Sequence, residues 1–425
     1  MNLQIECLRG LEVLDSRGNP TIEVEVSLTN GVAARAQVPS GASTGKHEAL
    51  ELRDHDPSKY AGKGVKRAIE HVEGELQTAL RGMNAEDQAA VDRRIIDLDG
   101  TPNKARLGAN AILGASCAVA RAVSVARGEP LWKTLAALGR RPRRVSLPVP
   151  MVNILSGGLH AGRNIEFQDF LALAHGFATF TEALHAVVAV HNSVRKLLSE
   201  QGCVLTGVAD EGGWGPRLES NERAIEILTR GIEAAGYRPG EQISVALDVA
   251  ASHFHREGRY CLATEERNLT AQEMTGLLTE WAGRYPIRSI EDPLDEDDFA
   301  GWQHLTSRLG TKAQIVGDDF FTTNPARVRE GIRCKAANAV LVKMNQIGTL
   351  TETFEVLDLA AEAGWAAVVS ARSGETEDSF LADLAVASGC GQIKVGSITR
   401  SERLAKYNRL LSLEREGGLS FSGQG

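Results

Sequence analysis

From Val145 onward, short apolar runs each end at a polar or charged residue, and helix-period segments such as Phe177 to Leu198 and Glu352 to Ala363 fill the intervals. The runs are Val245-Ala-Leu-Asp248, Ile287-Arg-Ser-Ile-Glu291, Gln314-Ile-Val-Gly-Asp318, Val340-Leu-Val-Lys343, Val368-Val-Ser370 and Gln392-Ile-Lys394. Apolar runs of this length, alternating with amphipathic segments, are the pattern of a parallel sheet with crossover helices. The later run ends recur about 25 residues apart, enough for a strand, a helix and two loops. The roughly 280 residues from Val145 onward fit a closed (β/α)8 barrel, for which about 250 is typical. An open doubly wound sheet is the alternative, but no Gly-x-Gly-x-x-Gly string opens the first unit.

The preceding residues follow a different rule. Thr21 to Leu28 alternates, with Ile22, Val24, Val26 and Leu28 on one face, and Asn30-Gly31 leads into a second run, Val32 to Val38. Asn-Gly readily takes the positive φ angles of a tight hairpin turn, so an antiparallel meander opens the chain. The spacing Val65, Ile69, Val72, Leu76, Leu80 predicts a helix, and the Ala-rich stretch Leu107 to Ala126 a second, largely buried one. The expected organisation is an α/β protein with an α+β domain over 1–138, a connection over 139–144 and a barrel over 145–425. The connection, Gly139-Arg-Arg-Pro-Arg-Arg144, reads as a solvated linker rather than a nucleic-acid patch.

Net charge decides against polyanionic partners: at −8, the chain offers no general basic field for nucleic acid or an anionic membrane. Six cysteines without a CxxC pair point to a reducing cytoplasm. Glu6 and Arg9 stand where a signal peptide needs an apolar core, and the apolar run Leu107 to Ala120 is short for a membrane span.

In such barrels catalytic groups stand at the C-terminal ends of strands, and here those ends carry Asp248, Glu291, Asp318, Lys343 and Lys394. One or two such residues would be ordinary salt bridges, but five at one rim point to chemistry. Converging carboxylates repel one another unless a cation lies among them. Oxygen donors without histidine or cysteine select magnesium, with manganese as a substitute. A nearby metal charge would lower the pKa of Lys343 and allow it to act as a neutral base. Abstraction of a proton α to a carboxylate builds negative charge that a divalent ion and a protonated Lys394 would stabilise.

Longer strings make the chain resemble the enolase family, the phosphopyruvate hydratases, along essentially its whole length. They are Asp15-Ser-Arg-Gly-Asn-Pro20, Val38-Pro-Ser-Gly-Ala-Ser-Thr-Gly45, Leu107-Gly-Ala-Asn-Ala-Ile-Leu-Gly114, Asp210-Glu-Gly-Gly213, Ser289-Ile-Glu-Asp-Pro293, Lys343-Met-Asn-Gln-Ile-Gly-Thr-Leu350, Arg372-Ser-Gly-Glu-Thr-Glu-Asp378 and Arg400-Ser-Glu-Arg-Leu-Ala-Lys406. The resemblance implies that the N-terminal domain caps an enolase-type barrel and that two magnesium ions serve each active site. Asp248, Glu291 and Asp318 would hold the first ion and Ser43 the second. It makes Lys343 the α-proton base, Glu211 the group assisting departure of the hydroxyl, and Asp169 a further catalytic carboxylate. Lys394 would grip the substrate carboxylate, Arg372 and Ser373 would clamp the phosphate, and His160 would lie near it. It also implies a homodimer, or an octamer of dimers.

Four positions depart from the family pattern. Asp169 stands where the family has Glu, Ala371 where it has His, and Ser156 where it has Asn, while Arg163 adds a cation after His160. The smaller Asp169, the missing imidazole at Ala371 and the extra cation at Arg163 imply room and charge for a bulkier, more anionic substrate, as in the carboxyphosphonoenolpyruvate synthases of phosphonate pathways. The expected activity is a hydro-lyase reaction on 2-phosphoglycerate or a phosphono analogue such as a carboxyphosphonoglycerate. The alternatives are an ordinary glycolytic enolase and a catalytically silent enolase-like scaffold. A racemase or lactonising relative is disfavoured because it would leave the Arg372-Ser373 clamp without a purpose.

Overall fold

The structure, a computed structural model, describes residues 3–42 and 44–423. Ser43, expected to ligate the second magnesium, lies outside the described residues.

The chain opens with the antiparallel sheet β1 (Ile5–Leu14), β2 (Pro20–Leu28) and β3 (Ala33–Gln37), in that spatial order. β2 and β3 follow the expected alternation and turn. β1 carries no clean alternation, because its register slips between Ile5 and Cys7. Helix α1 (Ala109–Arg127) lies across β2 and β3. Gly114 permits the close approach, since a Cβ there would sit 2.5 Å from Val24 Cγ2. Among the described helices α1 alone is long and apolar enough to cross a bilayer, but 83% of its apolar window is buried in the fold. The helix reaches this length by continuing past the run Leu107 to Ala120 to Arg127, and its burial in the fold accounts for its apolar composition. The predicted helix after Val65 spans three consecutive segments from Lys66 to Leu80, the middle one a π-helical turn over Val72–Leu76.

The second part closes eight strands into a barrel: β4 (Val149–Ser156), β5 (Asp169–Ala174), β6 (Ile243–Asp248), β7 (Ile287–Glu291), β8 (Gln314–Gly317), β9 (Ala339–Val342), β10 (Ala366–Ser370) and β11 (Gln392–Gly396). The six runs legible in the sequence are β6 to β11. A small apolar cluster including Met151, Leu171, Leu341 and Val368 fills the interior, so the barrel is a packed core and not a pore.

The strict βα repeat fails at one place. β5 pairs antiparallel with both β4 and β6. No helix long enough for a crossover separates β4 from β5, so the chain must return in the opposite sense. Two helices, α2 (Phe180–Glu200) and α3 (Asn221–Ala234), then precede β6. The reversal brings the first residue of β5, Asp169, to the same rim as the last residue of β4, Ser156. Three arginines of the 139–144 stretch face the helix Leu350–Glu362: Arg143 pairs with Asp358, Arg141 lies 3.3 Å from Glu362, and Arg140 lies 3.9 Å from Glu355.

Candidate active site

Neighbouring strands β6, β7 and β8 deliver Asp248, Glu291 and, one residue past the strand, Asp318 to the rim. Lys394 Nζ, on β11, lies 2.7 Å from both Asp248 Oδ2 and Glu291 Oε2. Lys343 Nζ, just beyond β9, donates to Asp318 Oδ2, and Gln346 Nε2 donates to Asp318 Oδ1 at 2.9 Å. All five strand-end residues therefore meet at one rim, as two ammonium–carboxylate sets.

The electrostatics follow from burial and pairing. Burial works against the Lys394 ammonium, but Asp248 and Glu291 hold it well above its ordinary range. Burial and the Asp248 charge push Glu291 up despite Lys394. In the absence of a metal ion, burial opposes the Lys343 charge, but Asp318 more than offsets this and leaves it raised. The chain's own groups thus favour ammonium at the position expected to be a neutral base.

Two groups of described residues have donor atoms within 4.8 Å of one another and could hold a metal ion: Asp292 with Asp318 and Asp319, and His160 with Asp169 and Glu211. In the first, Asp292 accepts the backbone N–H groups of Asp318 and Asp319, each at 2.8 Å, which fixes the turn presenting Asp318. Around Asp248, Glu291 and Asp318 the donors are all carboxylate oxygens, and the Lys394 ammonium already sits as a cation between two of them. That donor chemistry fits a hard divalent ion.

Beside this cluster, β4 and β5 build a second one. Asp169 Oδ1 accepts from Ser156 Oγ at 2.9 Å and from Asn153 Nδ2, and Oδ2 lies 2.8 Å from His160 Nδ1. His160 Nε2 lies 3.9 Å from Glu211 Oε1. Burial alone would discharge the imidazole, but Asp169 and Glu211 carry His160 up to about 9. Burial would likewise raise Glu211, yet His160, Arg403 and the two lysines hold it below its usual value. Gly213 lets the Glu211 loop lie on this network, because a Cβ there would come within 2.8 Å of Asn153 Oδ1 and 2.9 Å of Ser156 Oγ.

Opposite stands the predicted clamp. Arg372 forms a two-pronged pair with Glu48, 2.9 Å from Nη1 to Oε2 and 3.1 Å from Nη2 to Oε1, and Nη1 also donates to Asn345 Oδ1. Ser373 Oγ accepts the Ala42 backbone N–H at 2.7 Å, so the N-terminal unit reaches into the site. Beneath them the buried Arg403 guanidinium donates to the carbonyls of Arg372, Ser373 and Val395.

A narrow cavity of about 20 Å³ joins these groups. Its walls include His160, Glu211, Lys343, Ala371, Arg372 and Lys394, together with Asp248 and Ser373. Asp169 is not part of the wall. Arg163 is not brought there either; it is exposed and lines a neighbouring cavity with His253 and Arg256. Sequence reasoning missed Asn153, Glu48 and Arg403. No local pattern marks Asn153 or Glu48, whereas Arg403 lies in a quoted string whose buried cation could have been suspected.

Comparison with known protein families matches residues 5–135 to the description "Enolase, N-terminal domain" and residues 144–424 to "Enolase, C-terminal TIM barrel domain".

Proposed function

The chain belongs to the enolase family, and on that premise we propose that it is a magnesium-dependent dehydratase removing the elements of water from 2-phosphoglycerate or a close phosphono analogue. The observation that carries the reading is the single cavity walled by Lys343, Glu211, Lys394 and the Arg372-Ser373 pair. A base, a hydroxyl-facing carboxylate, a fixed cation and an anion clamp thereby surround one small substrate.

In this reading Arg372 exchanges Glu48 for the substrate's phosphate or phosphonate, to which its planar fork is suited. Lys394 holds the substrate carboxylate, Lys343 takes the α-proton, and Glu211 faces the β-hydroxyl that leaves. Asp248, Glu291 and Asp318 would hold magnesium, which when bound stabilises the negative charge developing on the substrate carboxylate and competes with Lys343 for Asp318.

Ala371 favours the phosphono analogue over 2-phosphoglycerate. It puts a methyl group in the cavity wall where the family pattern has an imidazole, leaving both space and one fewer hydrogen-bond donor. Steady-state assays with magnesium and each substrate test the proposal. Higher kcat/KM on a carboxyphosphonoglycerate supports it, turnover of 2-phosphoglycerate alone identifies an ordinary enolase, and no reaction or α-proton exchange with either identifies a silent scaffold.

A further inference from the structure

We propose that a second cavity, beside the catalytic one, binds a small organic anion: a single phosphonate or carboxylate group carried on a compact apolar body. The cavity measures about 220 Å³. It lies between the 158–166 loop that follows β4 and the short antiparallel sheet His255–Arg256, Arg259–Leu262 and Arg267–Leu269 that follows β6. It shares no wall residue with the catalytic cavity, although Gly158 and Leu159 in its wall stand next to His160 in the other.

Charge around this cavity is one-sided. Arg163 and Arg256 both line it, and neither guanidinium has a carboxylate partner among the described residues. Arg256 is held by the carbonyls of His255 and His253 at 2.6 and 3.1 Å, contacts that fix it without neutralising it. Arg163 makes no side-chain hydrogen bond among the described residues, yet its backbone is pinned. At φ 59° it follows Gly162 at φ 66°, and its N–H donates to the Gly158 carbonyl at 2.6 Å. The single carboxylate in the wall, Glu166, is outnumbered and already engaged. Its Oε1 accepts the Thr264 N–H at 2.8 Å and the Thr264 hydroxyl, and its Oε2 accepts from Asn221 Nδ2 at 2.8 Å. Two such arginines attract an anion, and the guanidinium fork suits phosphonate or carboxylate oxygens.

The rest of the wall selects an apolar body for that anion. Leu159, Ile165 and Phe254 supply it, and Phe254 is set by Phe167, stacked at 6.0 Å, and by Tyr260, edge-on at 6.2 Å. The His253 ring also lines the cavity, and its buried Nδ1 has no hydrogen-bond partner among the described residues. Such an orphan is rare in a folded protein and points to a missing partner. A volume below the roughly 300–1,000 Å³ of drug-sized sites limits the occupant to one small ring or a short chain with its acid group.

Cys261, in the same wall, reports occupancy. In metal-free full-length protein at pH 8, alkylation of Cys261 by iodoacetamide, followed by peptide mass mapping, should slow about fivefold or more with phenylphosphonate. Protection should be half-maximal at about 1 mM or below, and inorganic phosphate should need about tenfold more. Benzoate distinguishes the head group: protection by phenylphosphonate alone assigns a phosphonate, by benzoate alone a carboxylate. Arg163→Gln and Arg256→Gln should each raise the half-maximal concentration about fivefold or more, whereas Arg372→Gln, in the catalytic cavity, should leave it unchanged. Protection that survives in the double variant Arg163→Gln/Arg256→Gln, that is lost in Arg372→Gln, or that phosphate gives as well as phenylphosphonate overturns the proposal. So does the absence of protection by both organic anions at about ten times the stated concentration.

Discussion

Ser156 and Asp169 face each other across antiparallel strands, and the hydroxyl donates to the carboxylate at 2.9 Å with both side chains shut off from solvent. Because both groups are buried, each depends on the other for its hydrogen bond. Single replacements Ser156→Ala and Asp169→Asn should each destabilise the protein by about 1–3 kcal/mol. The double variant should lose less than their sum, with a coupling of about 1 kcal/mol. Urea unfolding of the four proteins measures it.

Restoring the imidazole that the family pattern carries should narrow the cavity beside Arg372. Ala371→His is expected to shift kcat/KM toward 2-phosphoglycerate, relative to the carboxyphosphono analogue, by about tenfold or more. Competition between the two substrates reads this ratio directly.

Divalent binding should stabilise the fold through the same carboxylates that grip Lys394. Magnesium at about 100 times its dissociation constant should add about 2.7 kcal/mol, and chelation should remove it. Asp248→Asn should abolish most of the increment. Calorimetric scans with magnesium and with chelator give the comparison.

Arg403 offers a stability test of the clamp. Its buried guanidinium serves three carbonyls, including those of Arg372 and Ser373. Arg403→Met should cost about 3 kcal/mol or more by leaving these acceptors unpaired, and KM should rise more than kcat falls.

Acid sensitivity should arise away from the catalytic rim. His191, buried and stacked on Trp214 with ring centroids 4.6 Å apart, is pushed down by burial to about 4. Burial and Arg288 do the same to His175. With folded values below the unfolded one near 6.5, the unfolded chain takes up protons first as pH falls. Stability is therefore full above about pH 6.5 and declines as pH drops toward 4. His191→Phe should flatten part of that slope, as followed by unfolding midpoints at a series of pH values.

Much of this site was legible because a buried parallel strand has a simple signature: an apolar run that must stop at a polar residue where it reaches solvent. That signature located Asp248, Glu291, Asp318, Lys343 and Lys394. It could not locate Asp169 as a rim residue, since β5 runs backwards and presents its first residue where its neighbours present their last. Nor could it assign partners. Arg372 finds Glu48 across 324 residues of chain, and no local periodicity encodes so distant a pair. The Lys343–Asp318 contact is of the same kind, since no local periodicity tells which carboxylate the ammonium meets.

The reversed strand also bears on how this site can be rebuilt. Since β5 returns at once beside β4, Ser156, His160 and Asp169 all fall within one stretch, its ends only 13 positions apart. A single short cassette, exchanged between this protein and a relative, would carry the Ser156–Asp169–His160 contacts with it and leave the lysines and the acidic rim to the host barrel.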